Sequence, residues 1–289
     1  MTRRVTAIAI VAIALSSGCV ERQAPQAPHA PSRGLVLHAD PAPGRSPVDV
    51  ELELRGGSLR VRPGSSTPLV AGAIHVDDPT LLPHVTTNAR GVAVVQDFTP
   101  SNAPSDPAPN IAWDLSLGNA PMRLSVHVLG SEQQHIDLGG RSVVAARIYN
   151  EGGHLALDWS AENPRVAEQI ELWSIGYLEA SHLARSGAKR IQVKNVGRTE
   201  IDLGDIVASE LRIDIDASSG SLDLIVPADT SARADLDPNA GLRIEAEGFR
   251  HDNPEAYTLG PSNEAPRLRI TGHALNGLVR LRTRNTGKP

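Results

Sequence analysis

Four groups of residues in this 289-residue sequence have types and spacings that could do chemistry. Ser186-Gly187-Ala188-Lys189 matches S-x-x-K, the pattern in which a lysine activates a serine nucleophile for acyl transfer. That pair acts only where a helix turns both side chains to one face. Here it sits in a glycine-containing return before an alternating run, so no catalytic residue is expected. Glu179, Asp202 and Asp223 recur at similar places in successive copies of a repeat, and Asp137 recurs once more beyond Ala156. Stacked, such acids would form a column about 4.8 Å apart, repelling by roughly 1 kcal/mol in water and roughly 3 at an effective surface dielectric. That column reads either as a solvated face helped by arginines such as Arg198 or as oxygen ligands for a hard cation such as calcium, although the glycine/aspartate nonapeptide of calcium-binding solenoids is absent. Tyr149 and Trp173 fall side by side in the same way, between His127 and Lys194. They read either as a ladder stiffening a sheet or as a patch for an envelope glycan or partner protein. The ten histidines show no H-E-x-x-H and no i, i+2 or i+4 pair. With no phosphate loop, dinucleotide fingerprint or G-x-S-x-G either, no metal and no cofactor is expected.

All these residues lie on a repeat that must position them. LSVHV…Gly130…HIDLG, ARIYNEGG…LALDW, IELWSIG…LEASH, RIQVKNVG…EIDLG and LRIDIDASSG…LDLIVP each place a glycine between two alternating stretches. The glycines stand at 130, 153, 176, 197 and 220, in steps of 23, 23, 21 and 23. Alternation of period two means strands, and a recurring unit of this size means rungs that bury their apolar faces on one another. The expectation is an all-β protein, a parallel β-solenoid of about 22-residue rungs with an N-terminal β region. The period excludes a helical bundle; a sandwich also fits alternating strands with turns. Inward residues would be Val126, Ile148, Leu172, Val193 and Ile213 on the first strands, and Ile136/Leu138, Leu155/Leu157, Leu178, Ile201/Leu203 and Leu222/Leu224 on the second. Stacking Leu178 on Ile201 on Leu222 is what aligns the three acids. Val143, Val166, Leu183 and Ile206 would close a corner of each rung. Residues 241–249 look like a sixth rung, 250–266 like a loop, and 267–285 like a closing hairpin or cap.

The N-terminus gives an address. Arg3 and Arg4, an apolar run from Val5 to Leu15 and then small residues make 1–18 a signal peptide, too short to span a bilayer as a helix. The chain's one cysteine, Cys19, follows in Leu15-Ser16-Ser17-Gly18-Cys19, which resembles the lipobox of bacterial lipoproteins. Cys19 is therefore the expected lipidation site, and the membrane the expected partner through that anchor, at the bacterial cell envelope and in a double-membraned cell its outer membrane. Residues 19–47 are rich in proline and alanine and read as a tether. An N-terminal β domain (48–98), a proline-rich linker (99–110) and the repeats with a C-terminal cap (111–289) follow. Removing the signal takes the formal charge from −5 to −7, which argues against nucleic acid. Aromatics are only 3% of the chain, so the core must be aliphatic.

The runs ELELRGGSLRVRPG (51–64), WDLSLGNAPMRLSV (113–126), GGHLALDWSAENPRV (152–166), TEIDLGD (199–205) and LRIDIDASSGSLDLIVP (211–227) resemble the bacterial toast-rack family, over roughly Val48 to Asp237. That family is similar to adhesin-type proteins and to cell-wall-active antibiotic response proteins. The resemblance implies an envelope-associated β-solenoid and supplies no catalytic residues. A non-enzymatic binding, adhesion or sensing module is thus the first expectation. A structural spacer is the second. A polysaccharide-active β-helix enzyme, which would need acids and stacking aromatics in a groove, is the third.

Overall fold

The computed structural model describes residues 33–40, 46–65, 67–96, 110–129, 133–205, 210–216, 219–253, 255–261 and 266–284, all within the compact unit Ser32–Pro289. The signal peptide, Cys19 and linker residues 99–109 lie outside the described residues.

The fold is all-β, and the described residues contain no α-helix. The N-terminal strands are β1 (Arg33–Ala39), β2 (Val48–Arg55), β3 (Ser58–Pro63), β4 (Val70–Val76), β5 (His84–Thr87) and β6 (Gly91–Val95). Next, β7 (Ile111–Leu117) precedes five strand pairs, one per sequence repeat. These are β8 (Met122–Leu129) with β9 (Gln133–Asp137), β10 (Val143–Asn150) with β11 (His154–Asp158), and β12 (Gln169–Ser174) with β13 (Tyr177–Ser181). The last two are β14 (Arg190–Asn195) with β15 (Arg198–Asp202) and β16 (Leu211–Asp216) with β17 (Ser221–Pro227). Then come the long β18 (Ala232–Ala246), the short β19 (Arg250–Asn253) and β20 (Ala256–Leu259), and the long β21 (Leu268–Arg284).

The strands form two large, mostly parallel ladders. In the first, β6, β2, β8, β10, β12, β14 and β16 run parallel, followed by residues 268–273 of β21 and 232–236 of β18. In the second, β7, β3, β9, β11, β13, β15 and β17 run parallel, followed by residues 278–284 of β21 and 242–246 of β18. Antiparallel pairing is confined to the ends: β1–β4–β7, β5–β6, and β18–β20–β19.

Three expectations need correction. The segment 19–47 is not all tether: RGLVLHA forms β1, because Leu37 and Ala39 alternate into the core and the strand pairs with β4. The N-terminal strands are not a separate layer either, since β2 lies directly against β8 and β3 against β9. The final segment is not the cap. β21 inserts between the last repeat and β18, pairing on both sides, and buries Leu268, Ile270, Val279 and Leu281. The 250–266 stretch contributes the β19–β20 hairpin, which closes the end of the first ladder instead.

The core fills the space between the ladders with the aliphatic residues that alternation assigns inward, each worth about 1.5–3 kcal/mol when fully buried. Val126, Ile148, Leu172 and Val193 share a row. Ile213 is buried but stands opposite Ile191, one pair back. Val143 and Leu183 do close corners, whereas Val166 is 60% exposed, and Ile206 lies outside the described residues.

The repeated glycines have a steric cause. A Cβ on Gly176 would meet the Gly153 carbonyl oxygen at 2.5 Å, one on Gly197 the Gly176 oxygen at 2.2 Å, and one on Gly220 the Gly197 oxygen at 1.7 Å. Those carbonyls accept hydrogen bonds from the next rung: Tyr177 N to Gly153 O at 2.9 Å, Arg198 N to Gly176 O at 3.1 Å, Ser221 N to Gly197 O at 3.0 Å. Gly277 of β21 continues the column, with Leu278 N donating to Gly220 O at 3.0 Å. Strands from the two ladders therefore meet at a corner too tight for any side chain.

Candidate functional site

The glycine column sets the register of the second ladder and corrects the acidic column. Counting from each glycine puts Leu178 opposite Thr199 opposite Leu222, and hence Glu179 opposite Glu200 opposite Asp223. Asp202 is not among them. It stands opposite Ile225, two residues further along. The 21-residue step is absorbed in the return and not after the glycine, so alignment by the hydrophobic letters alone slipped. Thr199 takes the inward place and is 1% exposed, with its hydroxyl oxygen unbonded. Asp202 has a local task shared with Asp137: in the twice-occurring Ile-Asp-Leu-Gly, each Asp Oδ1 accepts from the glycine N–H two residues on, at 2.8 Å. Arg284 also bonds Asp202.

Each acid on this face has a cationic or potentially cationic neighbour. Glu179 lies 3.5 Å from His154 Nε2, Glu200 3.8 Å from Arg198, and Asp223 3.7 and 3.5 Å from Arg280 and Arg282. Among the described residues no three His, Cys, Asp or Glu side chains converge as metal ligands would. Beside the acids, His154 stacks flat on Tyr177 at 4.5 Å, and Arg198 covers the other neighbouring position, 4.9 Å from the ring centre. Burial, reinforced by Glu179, pushes the Tyr177 phenol above its ordinary value despite Arg198.

The outer face of the first ladder differs. Its register puts His127, Tyr149, Trp173 and Lys194 in one column, followed by Asp216. His127 and Tyr149 meet edge to face at 5.8 Å, and Tyr149 and Trp173 at 5.4 Å. Trp173 is 38% exposed, and at the adjoining corner Ile175 and Val196 are exposed on successive rungs. Two residues back along the same strands runs a second column, Glu51, Ser125, Arg147, Glu171, Gln192 and Asp214. Arg147 Nε donates to Glu171 Oε1 at 3.3 Å, the charge pair expected of neighbouring rungs. Further along, Asp214 is 9% exposed and accepts from Arg190, Arg212 and Thr271. Burial would raise its pKa, but those hydrogen bonds together hold the carboxyl below the usual range.

A depression of about 530 Å³ opens on this face, over Ser125 and Ala145. Sequence reasoning passed over it because it is made by small residues. The signal was present: Ser125 and Ala145 are diagonal neighbours on β8 and β10, and the positions directly opposite them carry the long side chains Arg147, Arg123 and Gln169. The Ser186 hydroxyl, by contrast, is fully buried and donates to Leu183 O at 2.6 Å, a bond that ties down its own turn.

No protein-family model matches this chain, and no curated protein matches it. Among solved structures, a putative cell adhesion protein from Clostridium sporogenes is similar at 12% identity and a TM-score of 0.41, over 88% of this chain and 100% of that one.

Proposed function

We propose that the protein is a lipid-anchored β-solenoid of the bacterial cell envelope and a non-enzymatic binding module, carrying its binding face on the outside of the first ladder. The solenoid reading rests on two parallel ladders that share one corner column of glycines, with one strand of each ladder per repeat. The anchor rests on Cys19 and the apolar segment before it.

The observation that carries the binding reading is the outward column Tyr149–Trp173, with Trp173 exposed, continued by His127 and Lys194 over four successive strands. Tyr149 is half-buried and Trp173 38% exposed, and within the sheet the pair contributes a cross-strand contact of only about 0.2–1 kcal/mol. The same rings set at strand spacing on a rigid sheet give a partner a pre-organised platform.

Two measurements test the reading. Mass spectrometry of the membrane fraction should find Cys19 as an acylated N-terminus, and Cys19→Ala should release the protein; a soluble, unacylated wild type refutes the anchor. Full-length protein in detergent should bind isolated envelopes, and Tyr149→Ala/Trp173→Ala should abolish that binding while costing no more than about 1 kcal/mol of stability. Equal binding by the double variant would leave the spacer reading.

A further inference from the structure

The depression beside the aromatic column has the chemistry of a sugar site, and we infer that this face binds an extended, uncharged polysaccharide running across the strands of the first ladder. The inference rests on the binding-module reading above and names its ligand class.

Three features point the same way. First, the floor is small and the rim is planar and polar. Ser125 and Ala145 leave the hole, while Glu51 and Arg147 flank Ser125, and Arg123 and Gln169 flank Ala145, each one strand away. Carboxylates, guanidiniums and amides present paired donors and acceptors in a plane, the geometry that vicinal hydroxyls satisfy two at a time. These groups are already held in place: Gln169 Nε2 donates to Glu171 Oε1 at 3.1 Å and to Gln192 Oε1 at 2.7 Å, and Arg123 lies 3.7 Å from Asp49. The β8–β10 register shifts between Val143 and Ala145 at this point, the kind of irregularity that re-aims side chains at sheet sites.

Second, an aromatic wall runs alongside. Strand rise places Tyr149 and Trp173 roughly 6.6 Å from Arg147 and Glu171, and the columns repeat every 4.8 Å or so. That step is close to the length of one pyranose in an extended chain, so successive rungs would meet successive rings. The apolar C–H face of a sugar stacks on the exposed Trp173, which Tyr149 buttresses edge to face, while its hydroxyls reach the rim.

Third, the charge selects against rivals. Asp49, Glu51, Glu168 and Glu171 line the depression against only Arg123 and Arg147, which disfavours polyanions such as uronate, sulfated or phosphorylated glycans. A peptide is disfavoured as well. The backbones of β8 and β10 are paired on both sides, leaving no edge for strand addition.

The test uses full-length protein in detergent, titrated with neutral β-linked gluco-oligosaccharides and N-acetylglucosamine oligosaccharides of increasing length, and with polygalacturonate. Affinity for at least one neutral series should rise with chain length, with polygalacturonate inert. Trp173→Ala and Arg147→Ala should each weaken binding about tenfold or more, and Ala145→Trp should fill the hole and block it. Glu255→Ala, at the far end of the chain, should bind as the wild type does. Thermal unfolding of each variant separates lost binding from lost fold. Binding of the polyanion alone overturns the inference. So does neutral binding that survives Ala145→Trp in a folded protein. If envelopes are bound through Trp173 but no neutral oligosaccharide is, the sugar inference falls and the binding module stands.

Discussion

The two outer faces are built from the same repeat yet handle charge differently. On the first ladder the buried acid, Asp214, is met by three donors from three strands, Arg190, Arg212 and Thr271. On the second, Asp223 is as buried, but its arginines stand at 3.5 and 3.7 Å and Oδ1 has no partner. Both faces open a depression over small residues, about 530 Å³ at Ser125 and Ala145 on the first and about 500 Å³ at Ser58, Ala112 and Ala156 on the second. The first has the exposed Trp173 nearby, while the second has His154, Tyr177 and Arg198 packed against each other. A rung fixes where side chains stand, not what they do: the corner is common to both faces, and the chemistry is written in the outward letters.

Because the corner is common, its loss should erase both faces together. Gly220→Ala would put a Cβ 1.7 Å from the Gly197 oxygen, forcing the backbone apart and breaking the Ser221 bond there. We expect a loss of more than about 4 kcal/mol in urea unfolding. A loss under about 1 kcal/mol would mean that the rungs do not meet there as described.

The contrast between the acids gives a middle-sized effect. Hydrogen bonds to a charged group contribute about 1.5–3 kcal/mol each, so Asp214→Asn should cost about 2 kcal/mol near neutral pH, and Asp223→Asn less. The sign with pH follows from the lowered carboxyl. The Asp214 contribution is complete above the unfolded value near 3.9 and fades as pH falls through the lower folded value. Denaturation of both variants at neutral and acid pH checks this, and the reverse order would erase the contrast.

The smallest effect concerns Thr199, whose buried hydroxyl is unbonded on the inner side of the second ladder. Thr199→Val keeps the shape and removes the unmet group, so stability should rise by about 1 kcal/mol. A fall in calorimetric midpoint would show that the hydroxyl has a partner after all.

Period-two alternation made the all-β class, the inward aliphatics and the Tyr149–Trp173 column legible in the sequence, because strand faces follow the letters directly. Register was less legible. Leu178, Ile201 and Leu222 are the conspicuous apolar residues, yet the steric demand of Gly176, Gly197 and Gly220 fixes the alignment, and it puts Thr199 where Ile201 was expected. Long-range order was hidden altogether. Nothing local in residues 268–284 says that β21 slots between β16–β17 and β18, since an end placement would bury the same Leu268, Ile270, Val279 and Leu281. Likewise β1 was masked by the prolines around it, because composition averages over a strand of seven residues.

The glycine column has a consequence for how such a chain can change size. Each glycine asks only that another glycine carbonyl precede it and another N–H follow it, and the returns already tolerate steps of 21 as well as 23 residues. Duplicating or deleting one whole repeat would leave every remaining corner satisfied and shift the distal end by about one strand spacing, some 4.8 Å. The reach of the molecule is thus a countable quantity, set in equal increments by copy number and adjustable without redesigning either face.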